Sequence, residues 1–128
     1  MSDVVDRLMV GMDYSLWTQG RSGSVSSPEF AVAWRLVPYR LSGVVQDRVL
    51  VLDGIEFDVN LRHRDYGTEF LERVVKIGEL GGRCYDYVAM KDCNSHSLAL
   101  GRKCGFTIDD PHFLRVAWRQ ARQLLLPL

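Results

Sequence analysis

A chain of 128 residues, 47% of them hydrophobic and 25% charged, has the composition of a soluble globular protein and the length of one domain around a single core. Its 16 basic and 16 acidic residues cancel, which removes the global field that would draw it to nucleic acid or to an anionic membrane. No stretch approaches the roughly 20 apolar residues of a membrane span and the N-terminus lacks a signal-peptide pattern, so the expected location is the cytoplasm.

In chain order, the first signal is helical. Val5, Leu8, Met9, Met12 and Leu16 recur at helical spacing between Asp3 and about Trp17, with Ser2 or Asp3 as the cap. Thr18 to Pro28 is rich in Gly and Ser without periodicity and reads as a loop. Phe30, Val32, Trp34 and Leu36 alternate through a strand from Glu29 to Val37 that Pro38 closes, and a second strand is expected from Leu41 to Val45. The sharpest local pattern follows. Two β-rich runs, Arg48 to Leu52 and Ile55 to Val59, flank Asp53-Gly54, the chemistry of a type I′ hairpin turn. On the second arm Ile55, Phe57 and Val59 would face one way, Glu56 and Asp58 the other.

Gly67 to Leu80 has the stripe of an amphipathic helix, with Phe70, Leu71, Val74, Val75, Ile77 and Gly78 on its buried side and Gly81-Gly82 at its end. Tyr85 to Met90 is a short strand. Asn94 caps a further helix that stops at Gly105, with Phe106 as its hydrophobic closure. Strands Phe106 to Ile108 and Phe113 to Trp118 flank an Asp109-Asp110-Pro111 turn, and the tail Arg119 to Leu128 is a short helix or an extension of the last strand. The sum is an α/β arrangement, a mixed sheet with helices packed on it. Trp17, Trp34 and Trp118 read as core or interface aromatics. Cys84, Cys93 and Cys104 are odd in number and spaced too widely for a zinc knuckle, so free thiols and no metal site are expected.

The segment from Arg62 to Phe106 carries more than an order of elements. Arg62-His63-Arg64-Asp65-Tyr66-Gly67 is a basic loop that follows a strand and opens a helix, and Gly82 stands near that helix's end. After the next strand comes Asn94-Ser95-His96-Ser97-Leu98-Ala99-Leu100-Gly101-Arg102-Lys103-Cys104-Gly105-Phe106. In this gapless register, about a third of the chain, it resembles the cofactor-binding half of the GNAT acyl-CoA N-acyltransferases. Their loop reads Arg/Gln-x-x-Gly-x-Gly and their last helix Asn-x-x-Ala-x-x-Leu-Tyr-x-Lys-x-Gly-Phe.

The resemblance implies the GNAT fold with a reduced N-terminal region, one helix and a Gly/Ser loop standing where the family has a strand and two helices. It implies acetyl-CoA as cofactor and acetyl transfer to a primary amine, on a small molecule or a protein, by direct attack. A helix N-terminus suits a pyrophosphate, and Arg62, His63, Arg64, Tyr66, Gly67 and Thr68 would hold it. The backbone of Phe57 to Leu61, Val59 included, would pair with the pantetheine arm like an added strand, with Asn94 near that arm. Glu56, on the strand before the loop, is the general-base candidate, with Asp58 behind it.

Two positions depart from the family pattern. Asp65 takes the middle glycine of the loop, where a carboxylate either repels a phosphate or caps the helix through the N–H of Gly67 or Thr68. Gly101 takes the place of the tyrosine that protonates the departing thiolate, which leaves Tyr66, Tyr85 and Tyr87 as substitutes and gives His96 a capping or surface role. A second reading therefore stays open: a catalytically degenerate GNAT-fold protein that binds a partner, or a repurposed nucleobase-modifying enzyme. Compact members of that kind are familiar among bacteriophage products, internal virion proteins included. The run Tyr85-Asp86-Tyr87-Val88 leading to Asn94-Ser95-His96 is similar to some of them, and the location would then be host cytoplasm or virion. The apolar tail Leu124 to Leu128 would pack on its own sheet or on a second subunit.

Overall fold

The computed structural model describes residues 3–91, 93, 95–109 and 116–121. From the N-terminus run α1 (Asp3–Gln19), β1 (Ser22–Ser26), β2 (Phe30–Leu41), β3 (Val44–Phe57), a 3-10 helix (Val59–Arg64) and α2 (Tyr66–Ile77). Then come β4 (Glu79–Leu80), β5 (Arg83–Cys84), β6 (Tyr87–Met90), α3 (Ser95–Lys103), β7 (Thr107–Asp109) and β8 (Val116–Gln120). Six strands form one mixed sheet in the order β1-β2-β3-β6-β8-β7, every pair antiparallel except β3 with β6, while β4 and β5 make a separate small hairpin.

The helices cover one face of the sheet. The predicted stripe of α1 is inside: Val5, Leu8, Met12 and Leu16 are fully buried, each such side chain contributing about 1.5–3 kcal/mol of transfer free energy. They pack with Phe70, Leu71, Val74 and Val75 of α2 and with Trp34, Leu50, Leu52, Val88 and Met90 of the sheet. Trp34 donates its indole N–H to the buried hydroxyl of Ser15 at 2.8 Å, so its ring is buried without orphaning the nitrogen. At the N-terminal end, Arg7 donates to both carboxylate oxygens of Glu29, tying α1 to the start of β2. The opposite face carries a second cluster, Leu41, Val49, Val51, Ala89 and Val116, edged by Tyr39, Tyr87 and Trp118.

The first half of the chain differs from the sequence expectation in three places. The Gly/Ser stretch is not a loop throughout: residues Ser22–Ser26 pair with Ala31–Arg35 as an edge strand, which their composition conceals because half of each residue faces solvent. Pro38 does not end its strand. The ladder from β2 to β3 is irregular between Val37 and Tyr39, and β1 covers β2 only as far as Arg35, so the missing N–H of Pro38 leaves no ladder bond broken. Most consequential, Asp53-Gly54 is not a turn. The hairpin turns at Ser42-Gly43, both at positive φ (48° and 86°), inside the segment read as a strand. Residues 44–57 are one continuous strand, in which Asp53 is the extra residue of a β-bulge: Trp34 faces Leu52 and Ala33 faces Gly54.

The second half follows the expected order. α2 stops three residues earlier than expected, at Ile77, because Gly78 adopts φ 65° and its N–H closes on Val74 O; Gly81-Gly82 turn the β4–β5 hairpin instead. Ile77, expected inside, is 43% exposed. α3 ends as its sequence says. The N–H of Gly105 reaches Arg102 O at 3.1 Å and that of Phe106 reaches Gly101 O at 2.8 Å, a Schellman closure with Phe106 buried. The Ser2 and Asn94 caps, the Asp110-Pro111 turn and the tail from residue 122 lie outside the described residues.

Candidate functional site

The site begins where the sheet stops pairing. β3 and β6 run parallel from Val49–Tyr87 to Leu52–Met90, with one further bond from Lys91 N–H to Leu52 O at 3.2 Å. Beyond it β3 continues through Asp53 to Phe57, paired among the described residues only on its other side, with β2. The strands have splayed. Into the gap come the first turn of α2 and one side of α3, enclosing a cleft of about 530 Å³.

The bulge sets which side chains meet the cleft. Before it, even-numbered Leu50 and Leu52 face the helices; after it, odd-numbered Ile55 and Phe57 do, and Glu56 turns to the other face at the rim. Asp53 itself lines the cleft and accepts two hydrogen bonds from Arg35, at 2.7 and 2.9 Å. That pairing pushes the Arg35 guanidinium further up and pins the bulge to β2.

Of the residues named from sequence, Glu56, Phe57, Leu61, Tyr66, Gly67 and Thr68 line this one cleft. At Gly67 α2 packs tightly on α3: a Cβ there would stand 3.1 Å from Leu100 Cδ2. The rings of Phe57 and Tyr66 meet at 6.1 Å across the end of β3. Arg64 is exposed and Val59 is 66% exposed, and neither lines the cleft. Residues 59–64 are a 3-10 helix, so only the strand portion up to Phe57 is extended, not Phe57 to Leu61 as expected. The side chains of Arg62 and His63, and all of Asn94, lie outside the described residues.

The two departures from the family pattern acquire definite surroundings. Asp65 adopts a left-handed conformation (φ 57°) between the 3-10 helix and α2, and its carboxylate makes no capping bond to α2. It reaches across to Lys103 Nζ on α3 at 2.9 Å, and both residues line the cleft. Gly101 lies on the buried side of α3. A Cβ there would stand 3.1 Å from both Ala117 Cβ and Met90 Cε, so a tyrosine at this position would have to push its neighbours aside. Tyr85 is fully buried and donates to Val74 O at 2.5 Å, and burial pushes its phenol far above the ordinary range, which corrects its consideration as an acid. Tyr87 packs edge-on against Trp118 on the other face. Tyr66 is the one tyrosine of the three in the cleft. Burial pushes the Cys104 thiol up to about 11.

Sequence reasoning passed over one wall. His96, Ser97, Ala99, Leu100 and Lys103 of α3 line the cleft, with Lys91 at the end of β6. The signal was present, since positions 96, 100 and 103 are spaced four and three apart and share a helix face.

No family model matches the sequence, and no curated protein matches it. Solved structures do resemble it in shape. A mutant of the AtaT toxin, bound to the C-terminus of the antitoxin AtaR and acetyl-CoA, aligns with a TM-score of 0.56 at 8% identity over 72% of this chain, which spans 58% of the AtaT chain. An acetyltransferase of Bacillus subtilis in complex with CoA aligns at a TM-score of 0.45 and 16% identity over 95% of this chain and 94% of its own. The mixed sheet with its single parallel pair, the splay after Leu52 and Met90, and the helices entering it are the GNAT acyl-CoA N-acyltransferase fold.

Proposed function

We propose that the cleft binds acetyl-CoA and that the chain transfers its acetyl group to a primary amine. The observation that carries this reading is the edge of β3 from Asp53 to Glu56, which faces the cleft with no strand beside it among the described residues. An extended pantetheine arm has amide groups that pair with such an edge as an added strand would. The first turn of α2 at one end of the cleft supplies N–H groups and the positive end of a helix dipole for a pyrophosphate. AtaT, similar in fold, was solved with acetyl-CoA, which supports this choice of cofactor.

Glu56, at the rim on the face away from the helices, takes the proton of the incoming ammonium directly or through water. The free amine would then attack the thioester carbon, a C–N bond forming as the C–S bond breaks; the acylated nitrogen would give up its extra proton to solvent, and the departing thiolate would take one from solvent or from Tyr66. Holding amine and thioester together supplies the larger share of the acceleration, since orientation is worth up to about 7–11 kcal/mol while one acid or base is worth about 10²–10⁴-fold. Transfer without the family tyrosine is therefore feasible.

Calorimetric titration of CoA into the protein tests the cofactor, and thiol release from acetyl-CoA with a panel of primary amines tests the reaction. At a hundred times its dissociation constant, CoA is expected to stabilise the fold by about 2.7 kcal/mol. Binding without thiol release would favour the second reading, a GNAT-fold module that works by binding a partner. That reading draws on the exposed Val10, Tyr14 and Trp17 of α1.

A further inference from the structure

The sequence places the cleft's anion-binding charge on the Arg-rich segment, yet Arg64 does not line the cleft and the described cations that do are Lys91 and Lys103. Lys91 stands at the end of β6, by the splay. Lys103 stands at the other end, across from the first turn of α2, where its ammonium meets the Asp65 carboxylate at 2.9 Å. Resting on the acyl-CoA reading above, we propose that Lys103 is the side chain that reads the anionic end of the cofactor, and that Asp65 is an internal competitor that occupies Lys103 in the empty cleft.

Three features point the same way. Asp65 does not do what an acidic residue before a helix ordinarily does: it makes no side-chain cap, so its placement serves something other than α2's first turn. It sits in the left-handed region, where Asp is tolerated among non-glycine residues and a glycine would be easier. Its ion-pair partner among the described residues is a cleft cation on α3, and both side chains are largely exposed, 73% and 55%, so the pair can open without burying an unpaired charge. A phosphate brings more charge and more acceptor oxygens than one carboxylate and can displace it. Affinity is then set by the difference between two anions competing for one ammonium.

The alternative is that the pair is only a clamp between α2 and α3. A clamp and a competitor predict opposite signs. Isothermal titration with CoA, on the intact chain and on Asp65→Asn, Lys103→Met and Lys103→Arg, separates them. Asn suits the left-handed position, so Asp65→Asn is expected to keep the fold. The competitor predicts that Asp65→Asn tightens CoA by about three- to tenfold, that Lys103→Met weakens it by a similar factor, and that Lys103→Arg retains most of the affinity, the scale of one screened charge contact. The Lys103→Met loss should also shrink as salt is raised. If Asp65→Asn and Lys103→Met both weaken CoA, or neither changes it while the wild type binds, the inference is wrong and the acyl-CoA reading stands. If no form binds CoA, both are wrong.

Discussion

β3 is one strand with two halves that obey different rules. From Val49 to Leu52 it lies between β2 and β6, and its four side chains are 0–1% exposed. From Asp53 to Phe57 it keeps β2 but has lost β6, and every side chain there is exposed or half-buried. The first half is a scaffold whose tolerance is set by packing; the second is paired with β2 alone among the described residues, and its other edge faces the cleft. The bulge at Asp53 is the boundary: the parallel pairing with β6 stops at Leu52, just before it, and it switches which parity of residue faces the helices.

That contrast can be broken by mutation on either side. The largest effect expected is on chemistry. Glu56→Gln should lower acetyl transfer by about 10²–10⁴-fold while moving stability by no more than about 0.5 kcal/mol, as for an exposed site; parallel rate and denaturation measurements read both. Leu50→Ala, on the scaffold half, should reverse the balance. It should cost about 2–5 kcal/mol in urea unfolding, yet leave CoA affinity nearly unchanged at temperatures where the chain is folded. Gly101→Tyr should cost about 1–3 kcal/mol or more, the price of overpacking a filled site, and should not raise the rate, because the position faces Met90 and Ala117. A faster Gly101→Tyr enzyme would show that α3 presents this residue to the cleft. The smallest effect belongs to the boundary: Arg35→Leu should cost about 0.2–1 kcal/mol as a partly exposed ion pair but weaken CoA measurably, because Asp53 loses the partner that pins the bulge.

Periodicity made α1 and α2 legible, because a buried stripe repeats often enough to outweigh its neighbours, and the Gly105-Phe106 stop marked the end of α3. The hairpin was misplaced because two dipeptides have turn chemistry and only one can turn. A turn at Asp53-Gly54 would have paired Leu52 with Ile55 and left the twelve residues of β2 without a partner of their length; turning at Ser42-Gly43 pairs β2 from Leu41 back to Phe30. That choice is settled by total pairing, which no local window contains. The cleft was legible in the spacing from Arg62 to Phe106, and Glu56, Phe57, Tyr66, Gly67 and Thr68 were named with it, whereas Asp53 to Ile55 were not, because Asp53-Gly54 has turn chemistry. Its third wall was not, because His96 and Lys103 owe their place to how α3 crosses α2 at Gly67 and Leu100, a contact between distant segments.

The central claim is that CoA lies along the cleft-facing edge of β3 from Asp53 to Glu56 and ends at the first turn of α2. Amide hydrogen exchange with and without saturating CoA reads those N–H groups directly. The account predicts slowed exchange confined to residues 53–56 and 66–68 and to the facing turns of α3, with no change from Val49 to Leu52, already protected on both sides. CoA binding that slows exchange elsewhere and leaves residues 53–56 and 66–68 unchanged would contradict it.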